Sequence, residues 1–244
     1  MSNSNSLNFD TNPLIEKGTA GITSKNFLAN VFIWMFVALG ISAVSTYLFS
    51  SSDLLLRYLV TEDGRLNGLG IATRFAPLAF VLILTFGMNK LSFPVVAFLY
   101  VLFAAVMGIS ISFNIMIYSE ASVFGCFISA ALLFGVMAIA GYKTSTDLTN
   151  FGSILMMFLF GIIIASVVNW FLQSSQLDYI ISFIGVAVFV GLTAYDVQRL
   201  KRIGEGIEYG DASASKLVIM GALSLYLDFI NLFLMLLRVF GSRR

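Results

Sequence analysis

The chain has 244 residues, of which 59% are hydrophobic and only 11% charged, with a mean hydropathy of +0.93 and a net charge of +1. A soluble domain of this length carries about a quarter charged residues, so the composition excludes an ordinary soluble fold, and the near-zero net charge offers no electrostatic footprint for nucleic acid. No histidine is present and one cysteine, Cys126, lies in an apolar stretch, which excludes an intramolecular disulfide and removes the commonest metal ligand and the usual general base.

Residues 1–26 form a polar N-terminal tail, too polar for a cleavable signal peptide. Behind it, residues 27–240 read as a single transmembrane domain. Seven apolar blocks follow at 27–49, 74–89, 92–115, 122–142, 152–173, 178–199 and 215–238, each about long enough to cross a ~30 Å hydrocarbon core at ~1.5 Å per residue. The second is the shortest, because Gly68, Gly70 and Arg74 blur its start. Two connectors are long. The first, 50–73, opens on Ser50 to Asp53 and carries a solvated turn at Glu62 to Arg65; the second, 200–214, carries Lys201, Arg202, Glu205, Glu208 and Asp211.

Lysine and arginine placement sets the expected orientation. With the N-terminus cytoplasmic, that side holds Lys17, Lys25, Lys90, Lys143, Arg199, Lys201, Arg202 and Lys216, and the far side holds Arg57, Arg65, Arg74, Arg238, Arg243 and Arg244. Eight against six favours N-inside and C-outside.

A charged group at mid-bilayer costs about 2.5–3.5 kcal/mol on insertion scales, so each needs a reason. Asp228 lies near the middle of the seventh span and Asp196 towards the end of the sixth. Measured from their shared cytoplasmic edge, Asp228 is roughly 20 Å deep and Asp196 roughly 5 Å, so their depths differ unless the seventh span begins later. Two carboxylates that meet in a low-dielectric site cannot both ionise cheaply, so the pair holds one proton and releases it as pH rises. Thr193 shares a helix face with Asp196, and Asn231 with Asp228, giving each helix a small polar patch. The plainer alternative is that both acids simply bond neighbouring helices and hold the bundle together.

The remaining polar positions read more simply. Asn114 and Asn169 fit interhelical hydrogen bonding, and Tyr142, Thr144 and Asp147 a solvated turn. Trp34 and Trp170 fit either packing or interface anchoring. No serine–histidine or cysteine–histidine pairing, HExxH or phosphate-binding glycine loop occurs, so no enzyme and no cofactor is expected. An intramembrane aspartyl protease would also use two aspartates, but neither Asp196 nor Asp228 has an adjacent glycine.

The stretch Gly185 to Gln198, ending TAYDVQ, and the stretch Ala222 to Arg238, containing LYLDFINLF, strongly resemble the Bax inhibitor-1 (transmembrane Bax inhibitor motif) family, in its bacterial form. Gly141 to Asn150 resembles that family's loop after the fourth span. The resemblance implies an all-α integral membrane protein, a seven-transmembrane-helix bundle with a central C-terminal helix. It also implies a pH-sensitive calcium leak channel in the bacterial inner membrane, gated by Asp196 and Asp228. Beside these, Thr193, Tyr195 and Asn231 are the expected supporting polar groups, and since calcium wants six to eight oxygens the two aspartates are expected to hold it only weakly and in passing. Bacterial relatives carry an arginine cluster near the end of the second span. Lys90, in Met88-Asn89-Lys90, is a single, weaker substitute here, and the second span has no carboxylate. The rival function is a non-conducting regulator of another membrane protein, a protease or a cell-death or stress factor, docked through the tail.

Overall fold

A computed structural model describes residues 13–51, 54–61, 66–206 and 212–243, with side chains described from residue 26 onwards except at 51, 55, 56, 212 and 213. The first twelve residues of the polar tail, the turn expected at 62–65, and Glu208 and Asp211 of the second long connector lie outside the described residues.

The described residues form helices α1 (Pro13–Ser51), α2 (Leu54–Leu59), α3 (Gly68–Gly87), α4 (Phe93–Ile115), α5 (Glu120–Lys143), α6 (Thr149–Leu172), α7 (Ser175–Glu205) and α8 (Ala212–Phe240). All except α2 contain a segment long and apolar enough to span a bilayer, so the seven expected spans are all present. Helices suit this sequence because a backbone in hydrocarbon must satisfy its own polar groups. Their ends are marked by small polar side chains: Asn67, Ser119 and Ser174 accept from the amides of Gly70, Ser122 and Leu177 at the starts of α3, α5 and α7.

Several local features differ from expectation. The first helix begins at Pro13, inside the segment expected as the polar tail, and α7 runs on to Glu205, into the second long connector. Part of the first long connector is the short helix α2, followed by a bridge between Val60 and Leu66. The second span starts at Gly68 rather than near Arg74, because Asn67 caps it and Gly70, without a side chain, lies against the Leu59 carbonyl, where a Cβ would come within 2.3 Å. Asn169 closes the α6–α7 turn instead of bridging helices. Its carbonyl accepts from the amide of Gln173, which has the left-handed φ of 51°, and its side-chain Oδ1 accepts from Ser174 N at 3.1 Å.

The spans alternate direction, giving the bundle an N-side, where α1 begins and α8 begins, and a C-side, where α8 ends. On the C-side, Ser119 N donates to the Ser242 carbonyl at 3.0 Å and Ser242 N to Ser122 Oγ at 3.0 Å, tying the C-terminus to the α4–α5 turn.

The C-terminal helix is central, as the family resemblance implies: α8 packs against α1, α4, α5 and α7, and 67% of its spanning window is buried. The sixth span joins it as a second inner helix, with 61% of α7's window buried against 17% for α3 and for α6. Close seams fix α7. Gly141 of α5 meets the Ala194 backbone, where a Cβ would lie 2.2 Å from the carbonyl oxygen, and Gly152 of α6 lies under the Tyr195 ring.

Candidate functional site

On α8, Ser224, Asp228, Asn231, Met235 and Arg238 recur at spacings of four and three residues and therefore share one helix face. That face lines a cavity of about 720 Å³ bounded by α3, α4, α6 and α7, and Asp196 enters it from α7. Both carboxylates are buried, Asp196 at 9% exposure and Asp228 at 6%. Ser224 Oγ donates a short hydrogen bond to Asp196 Oδ2, which sets Asp196 level with the turn of α8 just before Asp228. The two acids line the same cavity, and the exposed Arg199 follows Asp196 by three residues on α7. Asp228 Oδ2 is fully buried and has no hydrogen-bond partner among the described residues.

The large difference in depth expected from the apolar blocks is therefore not found. Asp196 is not at the end of its helix, because α7 continues through Arg199, Lys201 and Arg202 to Glu205. The edge of hydrophobicity and the end of the helix are different places, and the depth comparison needs the second.

The supporting residues divide. Asn231 lines the cavity beside Asp228. Thr193 is buried and donates to the Phe189 carbonyl at 2.8 Å within its own helix. Tyr195 turns to α6, over Gly152, and lines a smaller recess with Thr149, Gln198, Arg199 and Arg202. Lys90 is exposed in the turn after α3 and is not among the cavity's lining residues. On that side Lys216 instead reaches α3, its Nζ 3.4 Å from the Met88 carbonyl. No group of three or more histidine, cysteine, aspartate or glutamate side chains is gathered for a metal among the described residues.

Sequence reasoning missed Ser224 and the N-side latch. Ser224 stands one turn from Asp228 on the same face, which was the available signal. The latch holds the α5–α6 loop to α7. Gln198 accepts from Leu148 N at 2.9 Å and donates to the Thr146 carbonyl at 2.8 Å, Arg202 pairs with Asp147 at 2.9 Å, and Lys201 donates to the Tyr142 carbonyl at 3.1 Å. The expected solvated turn is thus exposed yet tied down. Asp147 accepts from the hydroxyl and amide of Thr149, and these bonds, with Arg202 beside them, pull its carboxyl down to about 2.

A family model described as "Inhibitor of apoptosis-promoting Bax1" matches residues 24–244, which takes in every spanning helix. The chain belongs to the Bax inhibitor-1 family. It is 44% identical to Inner membrane protein YbhL of Escherichia coli (strain K12) over 221 residues, covering 90% of this chain and 93% of that one. An uncharacterized protein of Borreliella burgdorferi is 39% identical, covering 91% and 94%, and one of Rickettsia prowazekii is 38% identical, covering 90% and 91%. With seven spanning helices, this Bax inhibitor-1 family member is an integral membrane protein.

Proposed function

We propose that this protein is a pH-sensitive calcium leak channel of the bacterial inner membrane, N-terminus cytoplasmic, without enzymatic activity or a resident cofactor. In this reading Asp196 and Asp228 share one proton. The shared proton holds α7 against α8 and keeps the cavity closed; as pH rises the proton leaves, the two charges repel, and the helices part. The observation that carries the reading is the pair of buried aspartates that face one cavity from the two inner helices, one of them with an unsatisfied oxygen. Such a group is costly to keep and has a ready use if protons or cations reach it. Calcium prefers six to eight oxygens, so two carboxylates with Ser224 and Asn231 give weak, passing contact, which suits a leak.

Calcium uptake into liposomes holding the purified protein tests this at about pH 6, 7 and 8. The wild type is expected to pass more calcium at the higher pH, and Asp196→Asn and Asp228→Asn to lose that dependence. An unchanged pH profile in both variants contradicts the shared-proton gate. No flux above empty liposomes at any pH contradicts conduction itself and favours the regulator of a partner membrane protein.

A further inference from the structure

The cavity is larger and more apolar than a passing ion requires. At about 720 Å³ it falls within the ~300–1,000 Å³ typical of small-molecule sites, which are mostly apolar with a few convergent polar groups. Its side walls come from the two least buried spans, with Leu78 and Val81 on α3 and Leu159, Ile163 and Val167 on α6. Leu78, Ile163 and Val167 are also exposed, so the side of the cleft between α3 and α6 opens towards the hydrocarbon. At the C-side the walls meet through Phe75 and Trp170, whose rings are 6.3 Å apart.

Charge is distributed unevenly along the cleft. Arg238 at the C-side is paired with Asp178 at 3.5 Å, while deeper in stand Asp228, with its unpartnered Oδ2, and Asp196. An anionic headgroup would be repelled at that depth. A donor with positive charge would satisfy the open oxygen by a charge-assisted hydrogen bond.

We propose that the cleft binds an amphipathic amine drawn laterally from the bilayer, its ammonium on Asp228 with Asn231 and Asp196 nearby, and its hydrocarbon chain between α3 and α6. Binding of this kind does not depend on the cavity conducting calcium, although it uses the same aspartates.

Trp170 lines the cleft and serves as the reporter once the other tryptophan is replaced by Trp34→Phe. In nanodiscs without calcium, a dodecylamine brominated along its chain is expected to quench Trp170 saturably, at concentrations at least about tenfold lower than the equally brominated dodecanol. Asp228→Asn is expected to remove that advantage; if this variant does not fold, Asn231→Leu takes its place and is expected to reduce it. Equal, non-saturating quenching by amine and alcohol overturns the proposal, as does an amine advantage that survives the substitution. Calcium flux does not enter this readout, so a failure of the leak reading leaves the result interpretable.

Discussion

Two faces of α8 carry buried polar groups two residues apart and treat them in opposite ways. Tyr226 faces α1 and α4: its hydroxyl lies 2.7 Å from Ser42 Oγ, Ser42 also donates to the Ala104 carbonyl at 2.7 Å, and the Phe103 ring stands edge-on to Tyr226 at 5.3 Å. Asp228 faces the cleft with one oxygen unsatisfied. The first face is glue, with its polar groups paired off; the second is unfinished in a protein that could have placed leucine there. Among the described residues the other orphaned side-chain atom is Ser182 Oγ, a neutral hydroxyl that is not among the cavity's lining residues and costs far less to leave alone. Among the described residues, the orphaned carboxyl oxygen of the bundle core thus lies at the cleft.

The contrast can be broken from either side. Asp228→Leu is expected to stabilise the bundle by on the order of 2–3 kcal/mol, from the insertion cost of aspartate at mid-bilayer, while abolishing pH-dependent flux. Thermal unfolding in detergent and calcium uptake measure the two effects; a destabilised variant would put Asp228 among the packing groups. Gly141→Ala works on the packed side. Its methyl group has no room against the Ala194 backbone, so α5 and α7 must separate, with a loss of about 1–3 kcal/mol. An unshifted melting temperature would show that the seam is looser than described.

Tyr226→Phe is the smaller converse of Asp228→Leu. Losing one interhelical hydrogen bond is expected to cost about 0.6–1.5 kcal/mol and to leave the pH profile of flux intact. A changed profile would erase the distinction between the faces. The smallest effect belongs to the exposed latch. The Asp147 carboxyl is depressed to about 2, so its bonds to Thr149 and Arg202 are complete above the ordinary carboxylate range and are lost only as pH falls through about 2. Asp147→Asn is therefore expected to leave the flux profile between about pH 6 and pH 8 unchanged in shape. A shift of that profile would move the sensor to the α5–α6 loop.

Much of the fold was legible because hydropathy reports burial in lipid directly. The seven blocks became seven spanning helices, and only edges moved, as at Gly68, where a capping asparagine and a glycine packed on a carbonyl extended a helix beyond its apolar run. That two costly acids lie buried in the bundle was legible, since mid-bilayer carboxylates announce their own cost, and the structure brings both to one cavity. Which neighbours serve them was not. Thr193 and Asp196 share a face by spacing, yet Thr193 spends its hydroxyl on its own helix, while Ser224, from the other helix, reaches Asp196. Partners across helices depend on rotation and relative height, and neither is written in the periodicity of one segment. Lys90 shows the same limit: its place in the chain is near the second span's end, and its place in the bundle is an exposed turn outside the cavity lining.

The proton that the two aspartates are proposed to share is the centre of this account, and infrared spectroscopy of the protein in lipid can count it. At about neutral pH the wild type is expected to show the carbonyl stretch of a protonated carboxyl group, fading as pH rises over the range in which calcium flux grows, and absent in Asp228→Asn. A spectrum with no protonated carboxyl at neutral pH, or one that Asp196→Asn and Asp228→Asn both leave unchanged, would contradict it.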